Sequence, residues 1–171
     1  MAYCKVHLNY MRIALSEAEK CTPVPTAFCV GCVLVHHLPE SSPTIISSGY
    51  SREFPGNTHA EANALHKAKH LSSEQLSELL PGYPNISLDE VMAHTDVYTT
   101  LEPCSVRLSG LSPCVDALIT AKVKRCYIGV GEPLDFVKCE GAQKLRDVGI
   151  EVIWLNELQE DCLAVARRGH N

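Results

Sequence analysis

No run of basic residues occurs in this 171-residue chain. Lys and Arg number 15 against 20 Asp and Glu, for a net charge of -5. A nucleic-acid partner needs a positive footprint, so none is expected. No apolar stretch reaches the length of a membrane span, and the opening MAYCKVHLNY lacks the charged-then-apolar order of a signal peptide. A cytoplasmic protein with no membrane partner is therefore expected. Internal repeats and low-complexity segments are absent as well. The length allows one well-buried core and leaves no comfortable room for two, which gives a single domain over residues 1–171. Nine cysteines could suggest a disulfide scaffold. The number is odd, no secretory signal accompanies it and several cysteines sit in apolar strand-like runs, so most are read as reduced, buried thiols and a few as ligands.

Hydrophobic periodicity supplies the elements. Leu8, Met11, Ile13, Ala14, Leu15 and Ala18 repeat at helical spacing over Val6 to Lys20, ahead of Pro23 and Pro25. The apolar run Phe28 to Val35 and the segment Thr44 to Tyr50 predict an antiparallel hairpin, with His36 and His37 at its tip. An alanine-rich helix follows from about His59 to Leu71, then a surface insertion over about 72–94. Strands at Asp96–Leu101, Arg125–Val130 and Ile150–Leu155 alternate with helices at about Pro113–Lys122, Glu140–Val148 and Glu157–Arg168. Such alternation implies parallel neighbours with right-handed crossovers. The expected fold class is α/β, in three α/β/α layers, with a five-stranded mixed sheet whose last three strands are parallel.

The chemistry concentrates in two stretches, THAEANAL (Thr58 to Leu65) and LEPCSVRLSGLSPC (Leu101 to Cys114). His59, Cys104 and Cys114 offer one imidazole and two thiolates, which suit a tetrahedral Zn2+ with its fourth position open, the form of a catalytic site. Glu61, two residues after His59, is placed to move protons without ligating the metal. Ser112, Pro113 and Cys114 read as N-cap, N1 and N2 of a helix, whose N-terminus favours the thiolate. Plainer readings stand beside these. Thr58 and Glu61 also fit a capping box, which would make Glu61 a backbone acceptor only. Cys104 taken alone is more often a buried apolar residue. Cys29-x-x-Cys32 is read as core, and His66 and His70 as a solvated helix face. Cys4, Cys21, Cys126, Cys139 and Cys162 are given structural roles.

Together the HAE and PC contexts resemble the signature of zinc nucleobase deaminases, apart from nine residues between the cysteines where two are usual. HAEANAL, VYTTLEPCS, KVKRCYIGVGEP and GAQKLRDVGIEV extend that likeness over roughly Met11 to Leu155. They are similar to the pyrimidine deaminases of riboflavin biosynthesis, and PCSVRLSG resembles the fungal type. Bacterial relatives usually have a histidine where Val106 stands. The resemblance implies a cytidine deaminase-like fold, one Zn2+ per chain and a homodimer or higher homo-oligomer. It implies hydrolysis of 2,5-diamino-6-ribitylamino-4(3H)-pyrimidinone 5'-phosphate to 5-amino-6-ribitylamino-2,4(1H,3H)-pyrimidinedione 5'-phosphate with release of ammonia. Relatives often carry a further fused domain; this chain is expected to deaminate only. Glu61 would be the catalytic acid–base, and the Cys104 N–H a donor to the tetrahedral centre. A phosphate at the end of a ribityl chain needs donors away from the metal, and Arg107, Ser109 and Gly110 between the cysteines are the first candidates. Arg52 and Lys138 would lie at the mouth of the site, Glu132 would face the pyrimidine, Asn57 the ribityl hydroxyls, and Ala60 is grouped with these substrate-binding residues. A deaminase of another nucleobase, nucleoside or tRNA, and a non-catalytic zinc-stabilised binding module, are the alternatives.

Overall fold

The computed structural model describes residues 2–37, 42–107, 110–133 and 139–170. In chain order the strands are β1 (Gly31–His36), β2 (Thr44–Tyr50), β3 (Thr95–Leu101), β4 (Arg125–Val130) and β5 (Glu151–Trp154). The helices are α1 (Ala2–Glu19), α2 (Ala60–Lys69), α3 (Ser73–Leu79), α4 (Leu88–Ala93), α5 (Cys114–Thr120), α6 (Gly141–Asp147) and α7 (Gln159–Ala166), the last preceded by a short 3-10 turn, Asn156–Leu158. The sheet order is β2-β1-β3-β4-β5. β1 is antiparallel to both β2 and β3, while β3, β4 and β5 run parallel. The mixed sheet expected from the sequence is therefore present.

The strand pleat assigns the helices to two faces. Gly31 and Cys32 are adjacent in β1 and so point to opposite sides. A Cβ on Gly31 would strike Ala14 O of α1, whereas Gly49, paired with Cys32, would strike Ala60 O of α2. α1 and α2 thus cover opposite faces. α7 joins α1, since a Cβ on Gly129 would meet Cys162 Sγ, and α5 packs beside α2. Central β3 is buried along its whole length, as a strand covered on both faces must be. Asp96 in β3 has no exposed side-chain surface and accepts from Arg125 Nε and Nη2 of β4, each at 2.8 Å, which locks the register of the parallel pair.

Two expectations need correction. His36 is not at a hairpin tip. It ends β1 fully buried, with Nδ1 2.9 Å from Val91 O of α4. The segment read as a surface insertion is partly core: α3 and α4 each begin with a capping box, at Ser72/Gln75 and Ser87/Glu90, and bury Leu76, Leu80, Val91 and Met92. Their apolar positions are too few and too short-ranged to display a helical period.

Candidate active site

Three elements deliver the candidate metal-ligand set. β2 ends at Tyr50, and the loop 51–59 leads to α2, with His59 at N-cap in extended conformation. Thr58 is one residue too early to cap. Its hydroxyl donates to Phe54 O, and Asn63 Nδ2 bridges Tyr50 O and Thr58 Oγ1 at 2.8 and 3.0 Å. The capping-box reading of Thr58 and Glu61 is therefore wrong, and Glu61 is left available for other work. At the second stretch Pro113 is the N-cap and Cys114 the first helical residue, so the helix begins one residue later than the sequence suggested. The Val115 N–H donates to Cys104 O and the Cys114 N–H to Cys104 Sγ, at 3.3 Å each. The two cysteines are thus joined through the start of α5, which explains how nine intervening residues need not separate them.

The donor atoms of His59, Cys104 and Cys114 lie within 4.8 Å of one another. Nδ1 of His59 is 3.5 Å from Cys104 Sγ and 3.4 Å from Cys114 Sγ. A tetrahedral zinc with Zn–S near 2.3 Å and Zn–N near 2.0–2.1 Å would space nitrogen and sulfur about 3.6 Å apart, so the residues present fit the ion. Protonation agrees. The Cys104 thiol is lowered to about 4, first by the hydrogen bond from Cys114 and then by His59 and the Cys114 N–H, while Cys114 is pushed up as the proton-bearing partner. A cation bound between the two sulfurs would favour the thiolate on both.

Glu61 is 3% exposed, and the Thr99 hydroxyl of β3 donates to its Oε1 at 2.9 Å. Burial, and then the Cys104 charge, push this carboxyl above its usual range. It sits beside Cys114, within side-chain hydrogen-bond reach. Desolvation also raises Glu132.

A cavity opens over this cluster. His59, Glu61 and Cys104 line it, as do Asn57, Arg52, Arg107 and Glu132 among the residues singled out in the sequence. Arg107 Nη2 donates to Asn57 O at 2.6 Å, drawing the inter-cysteine loop across to the loop before His59. Gly110 is exposed, with φ 75°, and Ala60 is fully buried; neither lines the cavity. Ser109 and Lys138 lie outside the described residues. Sequence reasoning missed several lining residues, among them Phe28, Ser51, Leu101 and Glu102. Glu102 Oε1 accepts from the Ala142 N–H at 2.9 Å. The LEPC context contained this residue but offered no pattern to mark it. Cys29 precedes β1 and, like Cys32, is fully buried; Cys21, Cys126 and Cys162 are buried too.

Residues 4–130 match the family model described as cytidine and deoxycytidylate deaminase zinc-binding region. The chain is 43% identical over 164 residues to a diaminohydroxyphosphoribosylamino-pyrimidine deaminase of Schizosaccharomyces pombe, covering 96% of this chain and 36% of the relative. It is 32% identical over 162 residues to the riboflavin biosynthesis protein RibD of Actinobacillus pleuropneumoniae, covering 92% and 35% respectively. The chain thus spans about a third of the length of the curated relatives it matches. Among solved structures, a C-terminal deletion mutant of Aspergillus oryzae Rib2 deaminase superposes with a TM-score of 0.75 at 35% identity, covering 96% of this chain and 92% of that one. The same deaminase in complex with DARIPP superposes at 0.73 with 34% identity, at the same coverage.

Proposed function

The chain belongs to the family of cytidine and deoxycytidylate deaminases with a zinc-binding region, and from that premise we propose that it deaminates a phosphorylated aminopyrimidine of riboflavin biosynthesis. The substrate is 2,5-diamino-6-ribitylamino-4(3H)-pyrimidinone 5'-phosphate, which loses its 2-amino group as ammonia. The observation that carries the reaction type is the convergence of His59 Nδ1 with two cysteine sulfurs beside a buried, non-ligating carboxylate. The likeness to the S. pombe deaminase and to the Rib2 structure holding DARIPP supports the choice of substrate.

His59, Cys104 and Cys114 would hold the zinc, one per chain. When bound, it supplies a water whose pKa is lowered toward neutrality and which is poised for attack. Glu61 takes one proton from the attacking water and passes it to the ring nitrogen next to C2, then takes the second proton from the hydroxyl now on C2 and passes it to the amine, which leaves as ammonia as the C2 carbonyl forms. Its raised affinity for protons, caused first by burial, suits this shuttle. Thr99 holds the Oε1 oxygen, so the carboxyl plane is set by the sheet rather than by the substrate. Glu132 receives ring N–H groups. Arg107 reaches the phosphate with donors other than the one engaged by Asn57 O. Ser109 and Lys138 complete the proposed surroundings of the substrate, whereas Gly110 and Ala60, which do not line the cavity, take no part.

The deciding experiment measures ammonia release from this pyrimidine phosphate, cytidine, guanine and tRNA side by side, with zinc counted per chain. Turnover of the pyrimidine phosphate alone is expected; turnover of another substrate in its place refutes the assignment. Among the described residues no helix is long and apolar enough to cross a membrane. We extend the proposal to a cytoplasmic homo-oligomer, which native mass spectrometry tests.

A further inference from the structure

Arg52 stands just after β2, on the loop that ends at His59. Its φ of 61° is a left-handed conformation that residues with a Cβ adopt rarely. Its backbone N–H donates to Thr58 O at 2.7 Å, which closes the loop one residue before the metal histidine. The side chain runs in another direction. Nη1 donates to Phe28 O at 3.1 Å, and Nη2 donates to Thr22 O at 2.9 Å and to Cys21 Sγ at 2.8 Å. Nε is buried with no partner among the described residues. A guanidinium serving mainly as a phosphate ligand would keep its fork turned to solvent. This one faces inward, onto the segment 21–29.

That segment is a wall of the cavity: Thr26, Ala27 and Phe28 line it. Little regular structure supports it, since the bridge Val24↔Ala27 is isolated from the sheet. Its support comes from two flanks. On one, the end of the chain packs against it: Cys29 N–H donates to Ala166 O at 3.0 Å, the Phe28 ring stacks on His170 at 4.9 Å, and a Cβ on Gly169 would come within 2.9 Å of Val24 N. On the other, Arg52 spans two carbonyls six residues apart. A planar fork can hold both at once, whereas an ammonium is a single point of charge.

We propose that Arg52 is a positioning residue that ties the wall 22–28 to the loop delivering His59, and so sets where the substrate ring lies relative to the metal ligands. The proposal rests on the deaminase reading and replaces the direct substrate contact expected of Arg52 from the sequence. The left-handed backbone fits the role: strain of this kind persists where the surrounding contacts over-determine a conformation.

Arg52→Gly is the sharpest variant, because glycine accepts φ 61° without strain and only the fork is lost. Arg52→Lys retains the charge. For both, zinc content, backbone amide exchange over 22–30, and kcat and KM on the phosphorylated pyrimidine and its dephosphorylated form are measured. Arg52→Gly is expected to keep its zinc and to exchange the amides of this wall at least about tenfold faster. KM should rise by roughly 10- to 100-fold on both substrates, with kcat held within about threefold. Arg52→Lys should fall between Gly and the parent. Unchanged exchange over 22–30 overturns the proposal. A KM effect confined to the phosphorylated substrate also overturns it, since that marks an anion ligand, and so does a joint loss of zinc and kcat. If the parent chain turns over no pyrimidine, the deaminase reading fails while the exchange measurement still decides the role of Arg52.

Discussion

Gly49→Ala adds one carbon to β2, and its neighbours can be named in advance. A Cβ there would lie 2.5 Å from Ala60 O and 2.6 Å from Ala64 N, both backbone atoms of α2. Ordinary contact begins near 3.4 Å, so helix and strand must part by about 0.9 Å. Neither can yield by a rotamer change. Gly49 is not among the glycines with positive φ, so the backbone itself does not require glycine and the effect is steric alone. Ser47 Oγ on Ala64 O and Asn63 Nδ2 on Tyr50 O, each at 2.8 Å, hold the two elements together and resist the parting. Overpacking of this kind costs about 1–3 kcal/mol of stability. The functional cost is larger in consequence. His59 and Glu61 move with the first turn of α2, while Cys104 and Cys114 belong to other elements. A misplacement near 1 Å costs on the order of 100-fold in rate, or about 2.7 kcal/mol of barrier. Ammonia release at saturating substrate, zinc affinity by chelator competition and unfolding by urea read the three consequences. Gly82→Ala is the control, since a Cβ there meets nothing within 4 Å. Wild-type turnover and zinc affinity in Gly49→Ala would refute the argument that this contact sets the site.

Three other perturbations separate the roles assigned above. Glu61→Gln keeps shape and an acceptor for Thr99, so zinc content should hold while kcat falls by about 10²- to 10⁴-fold; near-normal turnover removes Glu61 from the mechanism. Arg107→Ala should raise KM for the phosphorylated substrate by roughly 10- to 100-fold, through loss of charge-assisted hydrogen bonds, and leave the dephosphorylated substrate and zinc content unaffected. His36 has its pKa lowered, first by burial, so the unfolded chain binds more protons between the folded value and 6.5. Stability is then full above 6.5 and is lost as pH falls through that window; His36→Gln should remove up to about 1.4 kcal/mol per pH unit of that slope in urea titrations.

Much of the architecture was legible because it is periodic. Met11, Ala14, Leu15 and Ala18 mark the buried stripe of α1, and strand, helix, strand alternation after Thr95 implies the parallel half of the sheet. The candidate metal ligands were legible for a different reason: histidine-x-glutamate and two proline-cysteine pairs are residue types whose chemistry constrains their use. The plainer reading of Glu61 as a capping acceptor was locally sound and failed only because the helix begins one residue later, with His59 at N-cap. His36 was misread because a strand end and a hairpin tip have the same local composition; burial under α4 distinguishes them.

By its own chemistry, then, the chain determined the order of its strands and helices and pointed to three candidate ligands with a neighbouring acid. The tertiary structure decided what lies between segments far apart in sequence. Thr99 meets Glu61 because its pairing with Cys32 of β1 puts it on the sheet face that α2 covers, and Cys104 meets Cys114 because the start of α5 donates to it. The fork of Arg52, expected from the sequence to contact substrate, donates to the carbonyls of Thr22 and Phe28 and to Cys21 Sγ, which is the ground for its proposed role as a brace for the wall 22–28. The physical reason is common to all three. A side chain's type states which partners it can take, but only the packed fold sets which partners come within 3 or 4 Å of it and whether water is there to compete.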